Sequence, residues 1–283
     1  MGKLELQNVS YLYGKGTPFE KLALHDVNVT FEEGKITGLI GHTGCGKSTL
    51  VQLLNGLLTP TAGKVLLDGR DVNEKGSDRM ALRFRVGLVF QYPEYQLFEE
   101  TVFADIAFGP KNMGLGMDEI SRRVRRAAEF VGIEESLFTC SPFDISGGQK
   151  RRVAIAGIMA MEPEVLVLDE PAAGLDPVDR EEILGGIRSY QRKSGKTVII
   201  VSHSMEDMAR YTDRVAVMKE GTVAACDTCR AIFSDHGLLR DSGLSVPQVT
   251  DFLSRLRAKG VDIDTAIFTV DDAVKEIKKL VHN

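Results

Sequence analysis

The stretch from Gly41 to Thr49, GHTGCGKST, constrains the fold of this chain more than any other part of its sequence. It fits the pattern G-x-x-x-x-G-K-[ST], and an apolar, strand-like run at residues 35–40 precedes it. A helical pattern begins at Thr49, so the context predicts a strand, a loop and a helix in succession. Glycines let consecutive N–H groups turn toward one anion, and a helix N-terminus adds its dipole. The stretch therefore predicts a site for a nucleoside triphosphate.

We call Gly41–Thr49 the phosphate loop, and each of its residues is a candidate ligand of the nucleotide. Lys47 is expected to reach the β- and γ-phosphates, and the Ser48 hydroxyl is expected to ligate Mg²⁺. The candidate nucleotide-binding residues of this loop are Gly41, His42, Thr43, Gly44, Cys45, Gly46, Lys47, Ser48 and Thr49.

A second candidate site ends the apolar run at residues 164–171, EVLVLDEP. Such a run predicts a buried parallel strand, and α/β sheets place their chemistry at the carboxyl ends of their strands. Asp169 suits a contact to Mg²⁺ through water, and Glu170 suits a general base that polarises an attacking water. Together with the phosphate loop, these carboxylates predict triphosphate hydrolysis.

A third element, Ser146-Gly147-Gly148-Gln149, opens an amphipathic helix and predicts a second anion site at a helix N-terminus. Ser146 also suits an ordinary helix N-cap. One chain does not need two such sites for one triphosphate, whereas a head-to-tail dimer does. We therefore expect the Ser-Gly-Gly turn of one subunit to face the phosphate loop of another. A kinase or GTPase fold would not account for the turn at Ser146-Gly147-Gly148-Gln149.

Composition and charge restrict the possible partners and the cellular location of this protein. The formal net charge of −5 argues against a broadly basic nucleic-acid surface. No apolar run approaches the roughly 18 residues of a spanning helix, and the first residues lack the apolar core of a secretory signal. Four cysteines in 283 residues do not suggest a disulfide framework. The sequence predicts a cytoplasmic protein whose membrane role, if any, comes through a partner.

With these three elements in order, the chain resembles the ATP-binding-cassette ATPases over roughly residues 3–230. The resemblance implies that Tyr13 stacks on adenine, with Tyr11 as the runner-up. It implies that Gln91 senses Mg²⁺ and water and links to a membrane subunit. It implies that the loop ending at Asp176 crosses the dimer interface and that His203 contacts the γ-phosphate. The implied catalytic set is Glu170, His203 and Gln91, and the implied metal set is Ser48, Gln91 and Asp169.

Within that family, residues 89–98 and 99–102 look like the ATPases of energy-coupling factor transporters, which take up vitamins and metal ions. Residues 108–112 and 169–176 look like the second, A-prime ATPase of a heterodimeric pair. The resemblance implies ATP and Mg²⁺ as ligands. The implied partners are a second homologous ATPase, a transmembrane T subunit and exchangeable S subunits, with no nucleic acid. The implied location is the cytoplasmic face of the cell membrane.

The predicted fold is α/β, with a RecA-like phosphate-loop core built on a mainly parallel sheet. Alternating apolar residues at 3–32 predict an antiparallel β subdomain, and helical spacing predicts an α-helical subdomain inserted at about 92–144. We expect an ATPase domain at residues 3–235 and a small C-terminal helical appendage at 236–283. This appendage is either a dimerisation element or a cap on the core.

Several features leave alternatives open. Cys45 is either a reactive thiol, activated by Lys47 and the helix N-terminus, or a buried inert one. Cys226 and Cys229 have C-x-x-C spacing without a second pair, so metal binding is the less favoured interpretation. The arginines at 122, 123, 125 and 126 favour a solvated helix face over a nucleic-acid contact. The rival function is a soluble cassette ATPase acting on ribosomes or DNA.

Overall fold

The computed structural model describes residues 2–74 and 76–281, and its strands form two sheets. The strands are β1 (Leu4–Tyr13), β2 (Lys21–Phe31), β3 (Ile36–Gly41), β4 (Ala62–Leu67), β5 (Arg70–Asp71), β6 (Val86–Val89), β7 (Val165–Asp169), β8 (Thr197–Val201), β9 (Arg214–Lys219) and β10 (Thr222–Thr228).

Helices cover and connect these sheets. They are α1 (Lys47–Leu54), α2 (Arg79–Arg85), α3 (Val102–Asn112), α4 (Met117–Phe130), α5 (Gly147–Met159), α6 (Pro177–Ser194), α7 (Met205–Tyr211), α8 (Cys229–Ser234), α9 (His236–Asp241), α10 (Gln248–Ala258) and α11 (Val270–Val281). Short 3-10 helices occupy Pro93–Gln96 and Glu135–Leu137.

The larger sheet has the strand order β10-β9-β3-β8-β7-β6. Strands β9, β3, β8, β7 and β6 run parallel, and only the edge strand β10 is antiparallel to its neighbour. Every residue of β3, β6, β7 and β8 is buried, as expected for strands with helices on both faces. The predicted α/β core with a mainly parallel sheet is confirmed.

The smaller sheet is antiparallel, with the order β2-β1-β4-β5. The apolar residues that alternate along β1 and β2, such as Leu4, Leu6, Val27 and Val29, are buried on its inner face. A main-chain bond of 2.9 Å from His25 to the Gly221 carbonyl joins it to the turn after β9. The antiparallel subdomain predicted from this alternation is therefore present.

The predicted helical subdomain at about 92–144 contains α3 and α4. Helix α4 buries Ile120, Val124, Ala127 and Ala128 on one face. Its arginines lie on the other side and pair with Glu119, Glu135 and Glu162 of this chain. Because each of these arginines already pairs with a carboxylate, the structure favours the solvated, ion-paired interpretation of the cluster.

The C-terminal segment packs against the main core, with Phe268 returning to it, and also contains a small cluster of its own. Phe233 of α8 and Leu239 of α9 are fully buried in the main core cluster. Leu253, Ile263 and Ala273 then form a separate small cluster, with α10 and α11 around it. The division into domains at residue 235 stays a prediction.

Two absences hold within the described ranges 2–74 and 76–281. No group of three or more His, Cys, Asp or Glu side chains there is arranged to hold a metal ion, so the C-x-x-C pair gains no further ligands. No described helix combines the length and the apolar character needed to cross a lipid bilayer.

Candidate functional site

Four adjacent parallel strands bring the predicted catalytic residues to one edge of the sheet. The phosphate loop begins at the last residue of β3, and His203 lies two residues beyond β8. Asp169 is the last residue of β7 and Glu170 follows it, while Gln91 lies two residues beyond β6. These strands are neighbours in the order β3-β8-β7-β6, so their carboxyl ends converge. The topology thus assembles residues that are far apart in the sequence into one cleft.

Backbone geometry explains two of the glycines in the phosphate loop. Gly46 is the N-cap of α1 with a φ of 106°, and a Cβ there would lie 2.8 Å from the Ala23 carbonyl oxygen. Gly41 has a φ of 156°, and its Cβ would lie 2.5 Å from the Met218 carbonyl oxygen. Only glycine lets the loop pass this close to its neighbouring strands.

Lys47 is held at the base of the cleft by the loop itself. Its side chain is buried, and Nζ donates to the carbonyl oxygens of Gly41 at 2.6 Å and His42 at 3.1 Å. Burial raises the pKa values of Asp169 and Glu170, and the Lys47 charge opposes that rise; burial lowers the pKa of His203, and the Lys47 charge lowers it further. The ammonium group is therefore fixed where phosphate charge would meet it.

The cleft has a volume of about 420 Å³ and is lined by most of the predicted residues. Those that line it are Tyr13, Thr43, Gly44, Gly46, Lys47, Ser48, Thr49, Gln91, Asp169, Glu170 and His203. The Tyr13 hydroxyl lies 3.1 Å from Thr49 Oγ1, whereas Tyr11 packs against the core, so the structure favours Tyr13 over Tyr11. Lys21, Leu22 and Ala23 of β2 also line the cleft, and no local pattern marked them.

Glu170 is a buried carboxyl group with an unusual backbone. Its φ of 52° lies in the left-handed region, which a non-glycine residue adopts at a cost of about 1–3 kcal/mol. Burial, reinforced by the charge of Asp169, raises the pKa of Glu170 from 4.5 to about 7. Its Oε1 atom is buried without a hydrogen-bond partner among the described residues. This oxygen suits a base that acts near neutral pH.

His203 stands beside this carboxyl group, at the turn between β8 and α7. Its Nε2 atom lies 3.4 Å from Glu170 Oε1, and its side chain is half-exposed to the cleft. Burial, together with the Lys47 charge, lowers the pKa of His203, which favours the neutral ring. The ring can therefore donate or accept a hydrogen bond next to the base.

The donors near Asp169 fit a magnesium ion. Burial raises the pKa of Asp169, while a hydrogen bond from Ser48 and the charge of Lys47 oppose that rise. Ser48, Asp169 and Gln91 all line the cleft, and they supply hydroxyl, carboxylate and amide oxygens. Hard oxygen donors of this kind are those that Mg²⁺ prefers.

Two predicted groups do not line this cleft. Ser146 and Gln149 form a capping box on α5, with Ser146 Oγ accepting from the Gln149 N–H at 3.2 Å and Gln149 Oε1 accepting from the Ser146 N–H at 2.9 Å. Asp176 is exposed and caps α6 by accepting from the N–H groups of Val178 and Asp179. Both interpretations of Ser146, cap and second anion site, are compatible with this geometry.

Known proteins share this sequence and fold. The family model described as ABC transporter matches residues 24–173. The energy-coupling factor transporter ATP-binding protein EcfA2 of Clostridium acetobutylicum is 50% identical over 281 residues, 99% of this chain and 98% of the relative. Its namesake in Streptococcus agalactiae is 48% identical over 277 residues, 97% of this chain and 99% of the relative. The chain belongs to the energy-coupling factor transporter ATP-binding family.

Solved structures agree with this membership. CbiO1 from Clostridium perfringens, described as part of the ABC transporter complex cbiONQ, is 38% identical with a TM-score of 0.75. That match covers 91% of this chain and 98% of the solved one. The ATP-binding cassette MJ0796, solved as a dimer bound to ADP and Pi, is 28% identical with a TM-score of 0.71, covering 80% and 98%. The predicted phosphate-loop fold and ATPase class are confirmed, and this family uses ATP, generally with Mg²⁺.

Three residues of the phosphate loop lie behind the cleft of this ATPase and do not line it. These are Gly41, His42 and Cys45. The Cys45 side chain is only 1% exposed and lies 3.9 Å from Lys47 Nζ. A thiol so deeply buried is poorly placed to meet an alkylating reagent, so the structure favours the inert alternative for Cys45.

Proposed function

We propose that this chain is the second, A-prime ATPase of an energy-coupling factor transporter, where it powers solute uptake by hydrolysing ATP. The observation that carries the proposal is the cleft in which Lys47, Asp169, Glu170 and His203 converge. Its members match the residues that the family resemblance implied. The near full-length likeness to ATP-binding proteins of these transporters supports the transporter type.

In this proposal, the phosphate loop binds the triphosphate and Lys47 neutralises its β- and γ-oxygens. Tyr13, at the mouth of the cleft, stacks on adenine. Ser48, Asp169 and Gln91 would hold Mg²⁺, which would supply charge neutralisation of the phosphate oxygens. Glu170 accepts a proton at Oε1 from the attacking water, and His203 donates a hydrogen bond to the γ-phosphate.

The second half of the site comes from a partner in this proposal. Ser146, Gly147 and the start of α5 are exposed and away from this chain's own cleft. The helix N-terminus presents N–H groups and a positive dipole to an anion bound by another subunit. Asp176, in the exposed loop before α6, would cross the same interface. A homologous ATPase placed head to tail would thereby complete both sites.

An apolar groove beside Gln91 is the surface we assign to the transmembrane T subunit. It has a volume of about 580 Å³. Its apolar wall includes Met80, Phe84, Phe98 and Phe108, of which Met80 and Phe98 are well exposed. Exposed apolar side chains clustered in one groove are typical of a protein interface. The T subunit would sit with exchangeable S subunits in the membrane and leave this chain on its cytoplasmic face.

Affinity purification from detergent-solubilised host membranes tests this proposal, with mass spectrometry of the proteins that accompany the chain. We expect a second cassette ATPase and a polytopic membrane protein. The groove variant Phe98→Asp should lose the membrane protein but keep the second ATPase, and Glu100→Gln, an exposed neighbour, is its control. Recovery with ribosomes, or without any membrane protein, would favour the soluble rival and contradict the transporter assignment.

A further inference from the structure

Arg151 is a buried arginine that the proposed mechanism does not use. It lies in the second turn of α5, and its side chain is 5% exposed. Two of its nitrogens bind the Glu94 carboxylate, Nε at 3.1 Å and Nη2 at 2.8 Å. Its Nη1 atom donates to the Ala173 carbonyl oxygen, and its guanidinium lies 5.9 Å from the centre of the Tyr92 ring. All three guanidinium nitrogens of this side chain therefore have hydrogen-bond partners.

These contacts join three segments with different tasks. Tyr92 and Glu94 lie one and three residues after Gln91, and the short helix Pro93–Gln96 forms part of the groove wall. Ala173 lies between Glu170 and Asp176, in the loop assigned to the dimer interface. Arg151 itself lies five residues beyond Ser146 on the helix that carries the second anion site. One side chain thus links the groove, the interface loop and α5.

The charge state of Glu94 indicates that it forms a stable ion pair with Arg151. Burial alone would raise the pKa of Glu94, but its hydrogen bonds and the Arg151 charge outweigh burial and lower that pKa. The carboxylate is therefore ionised at neutral pH. A bidentate arginine–carboxylate pair fixes both direction and distance, which a lysine cannot reproduce with its single ammonium group.

Arg151 does not line the nucleotide cleft, so it does not contact the nucleotide bound by its own subunit. We propose that Arg151 is a positioning residue that locks the segment after Gln91 to the interface loop at Ala173. A displacement of the groove wall then moves both the second anion site and the interface loop as one unit. The coupling part of this inference rests on the proposed function of the groove.

The test compares Arg151→Lys and Glu94→Gln with the wild type in the purified, assembled ATPase pair. Each variant should lower kcat for ATP about tenfold and leave the KM for ATP within twofold of wild type. A role confined to folding would instead lower thermal stability and the fraction of active protein. The double variant Arg151→Lys with Glu94→Gln should be no slower than either single variant, because all three break the same contact.

Arg123→Lys is the matched control, since Arg123 is a largely buried arginine that pairs with Glu119 and Glu162 away from the cleft. It should leave kcat within twofold of wild type. A kcat within twofold of wild type for both Arg151→Lys and Glu94→Gln would overturn the inference, and so would a KM that rises as kcat falls. Glu94→Gln keeps the shape of the side chain, so it decides the matter if Arg151→Lys fails to fold.

The transporter reconstituted in vesicles separates this inference from the proposed function. There the Arg151→Lys variant should also lower the number of solute molecules imported per ATP hydrolysed, by at least fivefold. Uptake absent from wild-type vesicles containing the whole complex would contradict the proposed function. The kcat of the ATPase pair would then still decide whether Arg151 is a positioning residue. An unchanged ratio in Arg151→Lys vesicles would overturn the coupling role.

Discussion

The two helix N-termini assigned to phosphate differ in what surrounds them. The start of α1 faces a cleft that also contains Lys47, two buried carboxyl groups and His203. The start of α5 is exposed and satisfied by its own capping box, and its residues do not line that cleft. The first site carries charged groups for binding and chemistry within the chain. The second offers only a dipole and N–H groups, so its use depends on what another molecule brings to it.

The largest expected effect comes from removing the charge at the first site. Lys47→Ala should abolish measurable ATP binding, because the buried ammonium group that neutralises the phosphates is lost. Titration of purified protein with a fluorescent ATP analogue measures this. Lys35→Ala, in the turn before β3, is the control and should bind as wild type does. An unchanged affinity for ATP in Lys47→Ala would mean that Lys47 does not make the start of α1 a stronger phosphate site than the start of α5.

The next effect separates binding from chemistry within the first site. Glu170→Gln keeps the shape of the side chain but removes the proton acceptor at Oε1. We expect ATP affinity to stay within threefold and hydrolysis to slow by roughly 10²–10⁴-fold. Single-turnover assays with radiolabelled ATP measure the chemical step. Hydrolysis at the wild-type rate would exclude Glu170 as the base.

A substitution at the second site should affect only hydrolysis. A Cβ at Gly147 would meet nothing within 4 Å, so Gly147→Asp is expected to fold. Its carboxylate would repel a phosphate brought to α5 by the partner, and we expect hydrolysis by the assembled pair to fall by about 10²-fold. Affinity of this chain's own cleft for ATP should not change. Gly147→Ala, which adds no charge, is the control, and equal losses in both variants would point to folding instead.

Local sequence patterns predicted which residues meet at this edge of the sheet, because each of them lies at or just beyond the end of an apolar strand. The phosphate loop, Asp169, Glu170 and His203 all have this placement. The parallel order of the strands then brings their carboxyl ends together. Lys21 of β2 also lines the cleft, but no local sequence pattern predicts this. Arg151 and Glu94 are 57 positions apart, and neither has a local pattern that predicts their pairing. Burial of Cys45 likewise depends on strands that are distant in the sequence.

The smallest expected effect concerns stability and again separates the crowded first site from the exposed second one. The pKa of Glu170 rises from 4.5 to about 7 on folding. Between these values the folded state holds a proton that the unfolded state has released, so raising the pH destabilises the fold. At about 1.4 kcal/mol for each unit, the full cost above pH 7 is at most about 3.5 kcal/mol.

Glu170→Gln removes this cost, so it should be more stable than the wild type, and by a wider margin at pH 8 than at pH 5. Urea unfolding of the nucleotide-free protein at both pH values measures the margin. Gln149→Glu places a carboxyl group at the start of α5, where the half-buried position penalises its charge less than the buried site of Glu170 does. The gain in free energy of unfolding over the wild type that Glu170→Gln shows on going from pH 5 to pH 8 should not occur in Gln149→Glu. An equal margin at both pH values for Glu170→Gln would mean that the pocket does not hold Glu170 protonated, and burial would then not distinguish a carboxyl group at the first site from one at the second.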